Sequence, residues 1–348
     1  MKDKIIKDKE IVPVEKTKSK FKKGAGGYRE DKKSRSDSAL GATLIFPILI
    51  ALVAIIYFIY LNFPFGAEGL DLDIKNLPEL EGIEESGQFY PNMKFNHNSI
   101  SYQIDTACSK EKKNRVIEAL NELSNKVGLI SFYSVSSNPD IEVSCSEYTK
   151  QAPEGDYFIA GEGGAREIIQ TGRYNIITNG VIFLHGNLYE FYKCDWANIE
   201  LHELIHVLGF NHSLNKNSLM YPYLNSCDQK LDASIINILK DLYSEENLPD
   251  LYFKDIKVIK KGRYLDFNLT VKNSGAIDAK DVSFGVLDDG QLVETFGLGN
   301  LILGAGMKVE IQNLKLIHRN PKEIQFVIDK DNLIKEINEE NNIAKTSF

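Results

Sequence analysis

One short stretch of the chain carries residues whose types and spacing can bind a metal ion. Residues 202–212 read His-Glu-Leu-Ile-His-Val-Leu-Gly-Phe-Asn-His, the pattern H-E-x-x-H-x-x-G-x-x-H. Positions four residues apart share one face of a helix, so His202 and His206 can offer imidazole nitrogens to one zinc ion. Gly209 can adopt a positive φ, which ends the helix and turns the chain so that His212 becomes a third ligand. The alternative is a chance pattern on an ordinary amphipathic helix, and the complete set of fixed positions argues against it.

These residues predict hydrolytic chemistry with one catalytic zinc ion as the cofactor. Three protein ligands leave the fourth position of a tetrahedral zinc ion open to water, which is typical of a catalytic site and not of a structural one. Zinc lowers the pKa of a water molecule at that position to about 7. Glu203 follows the first ligand and is predicted to be the general base. It would take a proton as the water attacks a peptide carbonyl, and then pass that proton to the leaving amine.

The sequence around the motif predicts the elements that position it. Residues 110–127 read as an amphipathic helix with Val116, Leu120 and Leu123 on one face, and residues 231–243 read as a closing helix. Alternating or continuous apolar runs predict the strands of the same domain. The predicted strands are residues 100–104, 130–135, 140–145 and 181–184.

A second motif follows the third histidine, because Met220 of Ser218-Leu219-Met220-Tyr221-Pro222 lies eight residues after His212. Together with the order of elements, the two motifs resemble the matrixin branch of the metzincin zinc metalloproteases. The resemblance covers residues 92–245 and implies an α+β zincin-like catalytic domain with Met220 in a turn beneath the zinc site. The astacin branch is disfavoured because Pro222 stands where that branch has a metal-binding tyrosine.

Two departures from the matrixin pattern concern metal content and latency. The three histidines outside the motif, His97, His185 and His318, are scattered along the chain, so a second, structural zinc ion is not expected. No cysteine precedes Cys108, so the prodomain cysteine that caps the zinc ion in this family is missing.

The four cysteines predict disulfides, because an even number in an exported domain is typical of a disulfide framework. Three pairings are open, and the favoured one joins Cys108 to Cys145 and Cys194 to Cys227. The second bond would tie the chain before the motif helix to the chain after the methionine turn. Four buried free thiols are the alternative.

The first 91 residues predict an anchor followed by a stalk. Residues 1–38 contain 13 Lys and Arg against 7 Asp and Glu, which indicates a disordered basic arm. Residues 39–63 form an uncharged apolar run, which favours a transmembrane helix over a cleaved signal peptide or a buried core helix. The positive-inside rule then predicts a single-pass cell-membrane protein with a cytoplasmic N-terminus and an extracytoplasmic catalytic domain. Residues 64–91 carry seven acids and one Lys, which indicates a flexible acidic stalk.

A change of pattern near residue 245 predicts a second domain over residues 246–348. Short alternating segments predict strands at residues 256–259, 264–271, 281–287, 292–296, 308–314 and 323–328, with turns at 273–275 and 288–290. The segments 248–251, 271–275 and 336–342 resemble the CARDB family, an Ig-like module of prokaryotic surface proteins. That resemblance implies an all-β Ig-like sandwich with an adhesive or spacer role.

The predicted fold class is therefore an α+β metzincin catalytic domain and an all-β Ig-like sandwich after a single N-terminal transmembrane helix. The predicted function is a membrane-anchored, outward-facing zinc endopeptidase that acts on a protein or peptide substrate. A surface ligand is envisaged for the C-terminal domain, and no nucleic-acid partner is expected. The resemblance to the matrixins also implies that an extended substrate pairs as a strand along the sheet edge around residues 161–169.

Two alternatives to this function stay open. One is a surface adhesion protein whose protease-like domain only binds, and the joint presence of three ligands, Glu203 and the methionine turn argues against it. The other is a cytoplasmic metallopeptidase, which would require both the anchor prediction and the disulfide prediction to be wrong.

Overall fold

The computed structural model describes six segments of the chain, and the predicted basic arm over residues 1–38 lies outside them. The described segments are residues 41–63, 66–74, 87–152, 158–186, 197–224 and 226–347, without the side chains of residues 41–45 and 347. The chain divides into two units, Met1–Ile56 and Tyr57–Phe348. The second unit contains both the histidine motif and the C-terminal β domain.

The first described element is helix α1, Gly41–Asn62, which contains Pro47. Its side chains are described from residue 46 onward. Crossing a bilayer takes about 20 consecutive apolar residues, and no helix in the described part of the chain is long and apolar enough to do so. The prediction of a transmembrane helix over residues 39–63 is therefore wrong. The predicted localisation, a single-pass membrane protein with a cytoplasmic N-terminus, depended on that helix and is corrected with it.

Two short strands, β1 and β2, precede a first domain of strands and helices that carries the histidine motif. The strands are β1 (Glu68–Leu70), β2 (Asp73–Ile74), β3 (Met93–Phe95), β4 (Ser99–Ile104), β5 (Ser131–Ser134), β6 (Ile141–Cys145), β7 (Lys150–Gln151), β8 (Phe158–Ile159), β9 (Gly161–Gln170) and β10 (Asn175–Leu184). The helices are α2 (Lys110–Val127), α3 (Asn198–Val207) and α4 (Ala233–Ser244). Helix α2 has the predicted bounds.

Strand β10 organises the main sheet of this domain. On one side it pairs in parallel with β3 and then with β6, and β6 continues through β4 to β5. On the other side it pairs antiparallel with β9, which among the described strands has no other partner. Strand β9 begins Gly-Glu-Gly-Gly-Ala-Arg, which has no apolar alternation, so periodicity predicted no strand there. The sheet edge expected around residues 161–169 came from the family resemblance alone.

The core of the first domain lies between the sheet and its helices. Helix α2 buries Val116, Leu120 and Leu123 in the same cluster as Leu239 of α4. The helix begins where the Ser109 hydroxyl accepts a hydrogen bond from the Lys112 amide, and it ends at Gly128 in the left-handed conformation. This packing holds α3, whose residues 200–207 are all buried, against the sheet.

The C-terminal domain is a two-sheet β sandwich. Its strands are β11 (Leu251–Lys261), β12 (Tyr264–Asn273), β13 (Ala279–Asp288), β14 (Gln291–Leu301), β15 (Gly306–Lys315), β16 (Glu323–Ile328) and β17 (Ile343–Ser347), with a 3-10 turn at Glu340–Asn342. One sheet has the order β1-β11-β12-β15, and the other has the order β14-β13-β16-β17-β2. Phe253, Phe267, Phe284 and Phe326 meet edge-to-face between the sheets, with ring centroids 5.0–6.3 Å apart.

Residues 68–74 differ from the flexible stalk predicted over residues 64–91. Strand β1 pairs antiparallel with β11, and β2 pairs antiparallel with β17, so this segment adds one strand to each sheet of the sandwich. Alternation places Leu70, Leu72 and Ile74 against the sandwich core, which offsets the repulsion among the neighbouring acids. Residues 75–86 of the predicted stalk lie outside the described residues.

Candidate metal centre

Three histidines converge at the end of α3. His202 and His206 lie one helical turn apart, and their Nε2 atoms are 3.0 Å apart. His212, beyond the end of the helix, places its Nε2 3.2 Å from that of His206. Two nitrogens bound tetrahedrally to one zinc ion at 2.0–2.1 Å would stand about 3.3 Å apart. The spacing of the three side chains therefore fits a shared metal ion.

The hydrogen bonds behind the rings favour the same interpretation. Nδ1 of His202 lies 2.6 Å from the carbonyl oxygen of Leu219, and Nδ1 of His206 lies 2.7 Å from that of Phe210. A carbonyl oxygen can only accept, so each Nδ1 carries the proton and each Nε2 keeps its lone pair. Backbone carbonyls that hold a ligand's ring in this way are typical of zinc-binding histidines.

The electrostatic environment keeps the three rings neutral. Burial lowers the pKa of His202 to about 4, and the neighbouring His206 and His212 act in the same direction. Burial also lowers the pKa of His206 and of His212. Since a metal ligand must be unprotonated, these shifts suit a metal centre across the neutral pH range.

Two separate constraints require glycine at residue 209, where the chain leaves α3. Its φ is +94°, a conformation that side-chain-bearing residues rarely adopt. A β-carbon at this position would also lie 2.6 Å from Sδ of Met93 on β3. The turn that brings His212 to the other two ligands therefore depends on glycine.

The turn that contains Met220 lies beside the three histidines. Met220 is fully buried, and its carbonyl oxygen accepts a hydrogen bond of 2.7 Å from the amide of Ser213, next to the third histidine. The neighbouring Leu219 supplies the carbonyl that holds His202. The turn thus supports two of the three histidines.

Gln229 is a residue of this turn that sequence reasoning missed. Its side-chain amide is buried and lies within 3.1–3.2 Å of the carbonyl oxygens of Lys216, Ser218 and Tyr223. A single amide therefore gathers the loop that contains Met220. Gln229 lies outside both motifs, and no sequence pattern around it marks it as part of the turn.

Glu203 is a residue of α3, and its side chain packs against the edge strand β9. Its side chain is 7% exposed, and the amide of Gly163 donates a hydrogen bond to its carboxylate. Burial raises the pKa of Glu203 to about 8, with a further contribution from the charges of Glu162 and Glu200. A cation held by the three histidines would act in the opposite direction.

The segment that enters the first domain also packs against the metal centre. The amide of Phe89 donates a 2.7 Å hydrogen bond to the carbonyl of Gly209, and the amide of Asn211 donates one of 2.7 Å to that of Gly87. The Phe89 ring lies 5.9 Å from the ring of His206, measured between centroids. Sequence reasoning assigned this segment to the stalk, because its contacts are distant in sequence.

The structure contains the Cys108–Cys145 disulfide, which ties the loop before α2 to the end of β6. Cys227 is also disulfide-bonded. Cys194, which was predicted to pair with it, lies outside the described residues.

A second group of potential metal ligands lies in the C-terminal domain, where Asp288, Asp289 and His318 come together. The Asp288 carboxylate accepts hydrogen bonds from the amide and the ring of His318. Asp289 accepts from the amides of Lys322 and Glu323. These bonds join the β13–β14 turn to the segment before β16, which is a structural role.

Comparison with known families identifies two domains. Residues 94–244 match the Matrixin family. Residues 248–346 match the CARDB family. The matrixin match supports a metalloprotease, and since that family is zinc-dependent it also supports zinc as the metal. The first and second domains are called the matrixin domain and the CARDB domain from here on.

Comparisons with individual proteins add only distant similarity. No curated protein matches the chain. Among solved structures, the crystal structure of a CARDB domain from Pyrococcus furiosus, in complex with di-metal ions, is 21% identical with a TM-score of 0.23, over 29% of this chain and 88% of that one. A domain of a Methanosarcina acetivorans protein, solved by NMR, is also 21% identical with a TM-score of 0.23, over 29% of this chain and 91% of that one.

Proposed function

We propose that this protein is a zinc-dependent endopeptidase whose catalytic domain occupies residues 92–245. The observation that carries the proposal is the convergence of the Nε2 atoms of His202, His206 and His212, beside the buried carboxyl group of Glu203. A domain that only binds a partner would not require a general base next to a metal centre.

The chain's own groups divide the chemistry between them. The three histidines would hold a zinc ion. When bound, that ion would act as a Lewis acid that polarises the scissile carbonyl and lowers the pKa of water. Glu203 accepts the proton of the attacking water and delivers it to the nitrogen of the leaving amine. Strand β9 covers Glu203, and the Gly163 amide orients its carboxylate.

The edge strand β9 is the proposed site for an extended substrate. Among the described strands it pairs with β10 alone, so its outer edge is available to a peptide backbone. Backbone pairing along this edge would bring a peptide past Glu203, since Gly161 and Gly163 lie in contact with that residue. A protein or peptide substrate is therefore proposed to bind by strand addition.

The proposal is tested by incubating the zinc-loaded full chain with a mixed peptide library, beside the Glu203→Ala variant. We expect the parent to cleave internal peptide bonds and the variant to be at least 10²-fold slower, which is about the lower limit for loss of a general base. Zinc content, measured by metal analysis, should be the same in both proteins.

Two results would count against the endopeptidase. Equal cleavage by parent and variant would mean that the activity arises elsewhere or from a contaminant. No cleavage by a parent that holds zinc would favour the binding-only alternative for the matrixin domain.

A further inference from the structure

The turn between β9 and β10 lies on the CARDB domain. The Thr171 hydroxyl donates a 2.7 Å hydrogen bond to the carbonyl of Ser274, and Nε of Arg173 lies 3.2 Å from Oδ2 of Asp250. The backbone at Gly304 approaches the end of β9 so closely that a β-carbon there would stand 3.0 Å from the Gln170 oxygen. The CARDB domain thus contacts the turn through both charged and neutral groups.

Asp250 is the centre of the contact on the CARDB side. It is fully buried, and its carboxylate accepts hydrogen bonds from Arg173, from the Ser274 hydroxyl and from the side-chain amide of Asn341. The latter two residues belong to the CARDB domain itself, so the carboxylate is held in place before Arg173 reaches it. A buried, fixed carboxylate is a strong partner for an arginine.

An apolar cluster also lies at the contact between the turn and the CARDB domain. Tyr174, in the turn, and Ile176, at the start of β10, pack with Ala276 of the CARDB domain, and all three are buried. The Tyr174 hydroxyl donates a 2.7 Å hydrogen bond to Glu245, in the connection between the domains. Burial and the neighbouring Glu245 raise the pKa of Tyr174 above its ordinary value, so the hydroxyl keeps its proton. The two domains therefore share a small closed core at this point.

The strand attached to this turn is the one that covers the catalytic centre. Strand β9 begins at Gly161, against the Glu203 side chain, and its last residues lie against Gly304. It is an edge strand that pairs with β10 from Gly161 to Gln170 and has no second strand partner among those described, so its position depends on this pairing and on the contacts at its ends.

From this geometry we infer that the CARDB domain is a positioning part of the catalytic unit. By holding the turn at residues 171–174 it fixes β9 against Glu203 and in register for a substrate strand. Arg173, Asp250 and Tyr174 are positioning residues, since none of them contacts the zinc ligands. This role rests on the proposed function and replaces that of a detached spacer.

Two full-chain variants test the role, with a control outside β9 and outside the contact between the domains. Arg173→Met removes the ion pair with Asp250, and Ala276→Leu forces extra volume into the shared apolar cluster. The control is Lys126→Met, because Lys126 lies on α2 and pairs with Glu122 of the same helix. Amide hydrogen exchange of residues 161–170 is measured in each zinc-loaded protein, together with kcat and KM for a cleaved peptide.

We expect both interface variants to raise the exchange rate of the β9 amides by about tenfold, because a hydrogen bond to a buried charge or a packed contact is lost. The fold increase in KM should exceed the fold decrease in kcat, and the zinc content should stay unchanged. Exchange in β12 and β13 should stay slow, which shows that the CARDB domain itself is folded. The control should match the parent in exchange and in KM.

Unchanged exchange in β9 in the Arg173→Met protein would overturn the inference, and so would an equal effect of Lys126→Met. Should Ala276→Leu fail to fold, Arg173→Met alone still decides the question. Should the parent cleave no peptide, the proposed function fails but the exchange measurement still tests whether the CARDB domain holds β9.

Discussion

Gly161 lies against Glu203 so closely that a β-carbon at residue 161 would stand 2.7 Å from Cγ and 2.8 Å from Oε1 of the Glu203 side chain. Real side chains do not make such contacts, so the edge strand and the proposed general base fit together only because residue 161 is glycine. This relationship joins a glycine-rich strand, which looks unremarkable in sequence, to the centre of the chemistry.

A methyl group at residue 161 is therefore expected to displace the Glu203 carboxylate. The Gly161→Ala variant should lose at least about tenfold in kcat/KM, as expected for a small misplacement of a catalytic group. Its zinc content should equal that of the parent, because the three histidines are untouched. The matched control is Gly164→Ala on the same strand, where a β-carbon meets nothing within 4 Å. Equal activity of the two variants would show that Glu203 adapts to the change.

Metal binding should depend on the motif histidines and not on histidines elsewhere. The His206→Ala variant removes the central ligand, whose Nε2 lies near those of both His202 and His212. Zinc affinity should fall by more than the about 10–100-fold typical of removing a residue that only supports a ligand. His97→Ala serves as the control, because His97 contacts Asn96 and Asp140. Competition with a zinc chelator measures both affinities, and an equal loss in the two variants would contradict the assignment.

The Cys108–Cys145 bond should contribute to the stability of the matrixin domain. It closes a loop with a sequence separation of 37 residues. In the chain-entropy model a loop of this size stabilises the folded state by about 3–4 kcal/mol. Urea unfolding of the Cys108→Ser/Cys145→Ser double variant, compared with the oxidised parent, measures the difference. A loss well below 1 kcal/mol would mean that the unfolded chain is already restricted or that the bond is strained.

Glu336 should make the CARDB domain less stable as the pH rises. Burial raises the pKa of Glu336 from 4.5 to about 8, against the opposing effect of hydrogen bonds from the Leu251 amide and the Asn342 side chain. Between these two pH values the unfolded chain ionises at this residue while the folded domain keeps the proton. The folded state then binds more protons than the unfolded state, so the free energy of unfolding falls with rising pH.

The slope from this one group is at most about 1.4 kcal/mol per pH unit within the window from pH 4.5 to 8. Urea unfolding of the C-terminal domain at pH 5 and pH 8 measures the slope. Glu336→Gln should flatten it, because a neutral amide can still accept from the Leu251 amide. Glu294→Gln, on an exposed position of β14, should leave it as in the parent. A parent whose stability does not change over this range would contradict the prediction.

Local sequence was enough to predict the candidate metal site and much of the scaffold. The histidine motif needs only helical spacing and one glycine turn, so the sequence alone predicted that His202, His206 and His212 lie close together. Helix α2 was predicted with its observed bounds because Val116, Leu120 and Leu123 repeat at helical spacing, and in the structure Ser109 and Gly128 cap it. The Cys108–Cys145 bond was favoured from the same reading, and the alternation of the C-terminal strands predicted a β sandwich.

The predictions from local sequence failed for two segments near the N-terminus. The apolar run at residues 39–63 was read as a membrane span on its composition, and the described part of the chain has no helix that could cross a membrane. Residues 68–74 were predicted to belong to a stalk because of their acids, but they pair with β11 and β17, and the paired residues lie about 190 to 270 positions further along the chain.

Two features were decided by tertiary structure alone. One is which side chains the glycines of β9 contact, and the other is how the CARDB domain packs against the matrixin domain. The sequence shows that residues 161 and 163 are glycines, but only the approach of α3 to β9 shows that Glu203 requires them. It shows Arg173 and Asp250, but only the folded chain places them 3.2 Å apart. Spacing along the chain specifies contacts within one helix or hairpin, whereas packing between elements depends on the whole set of shapes that the core must accommodate.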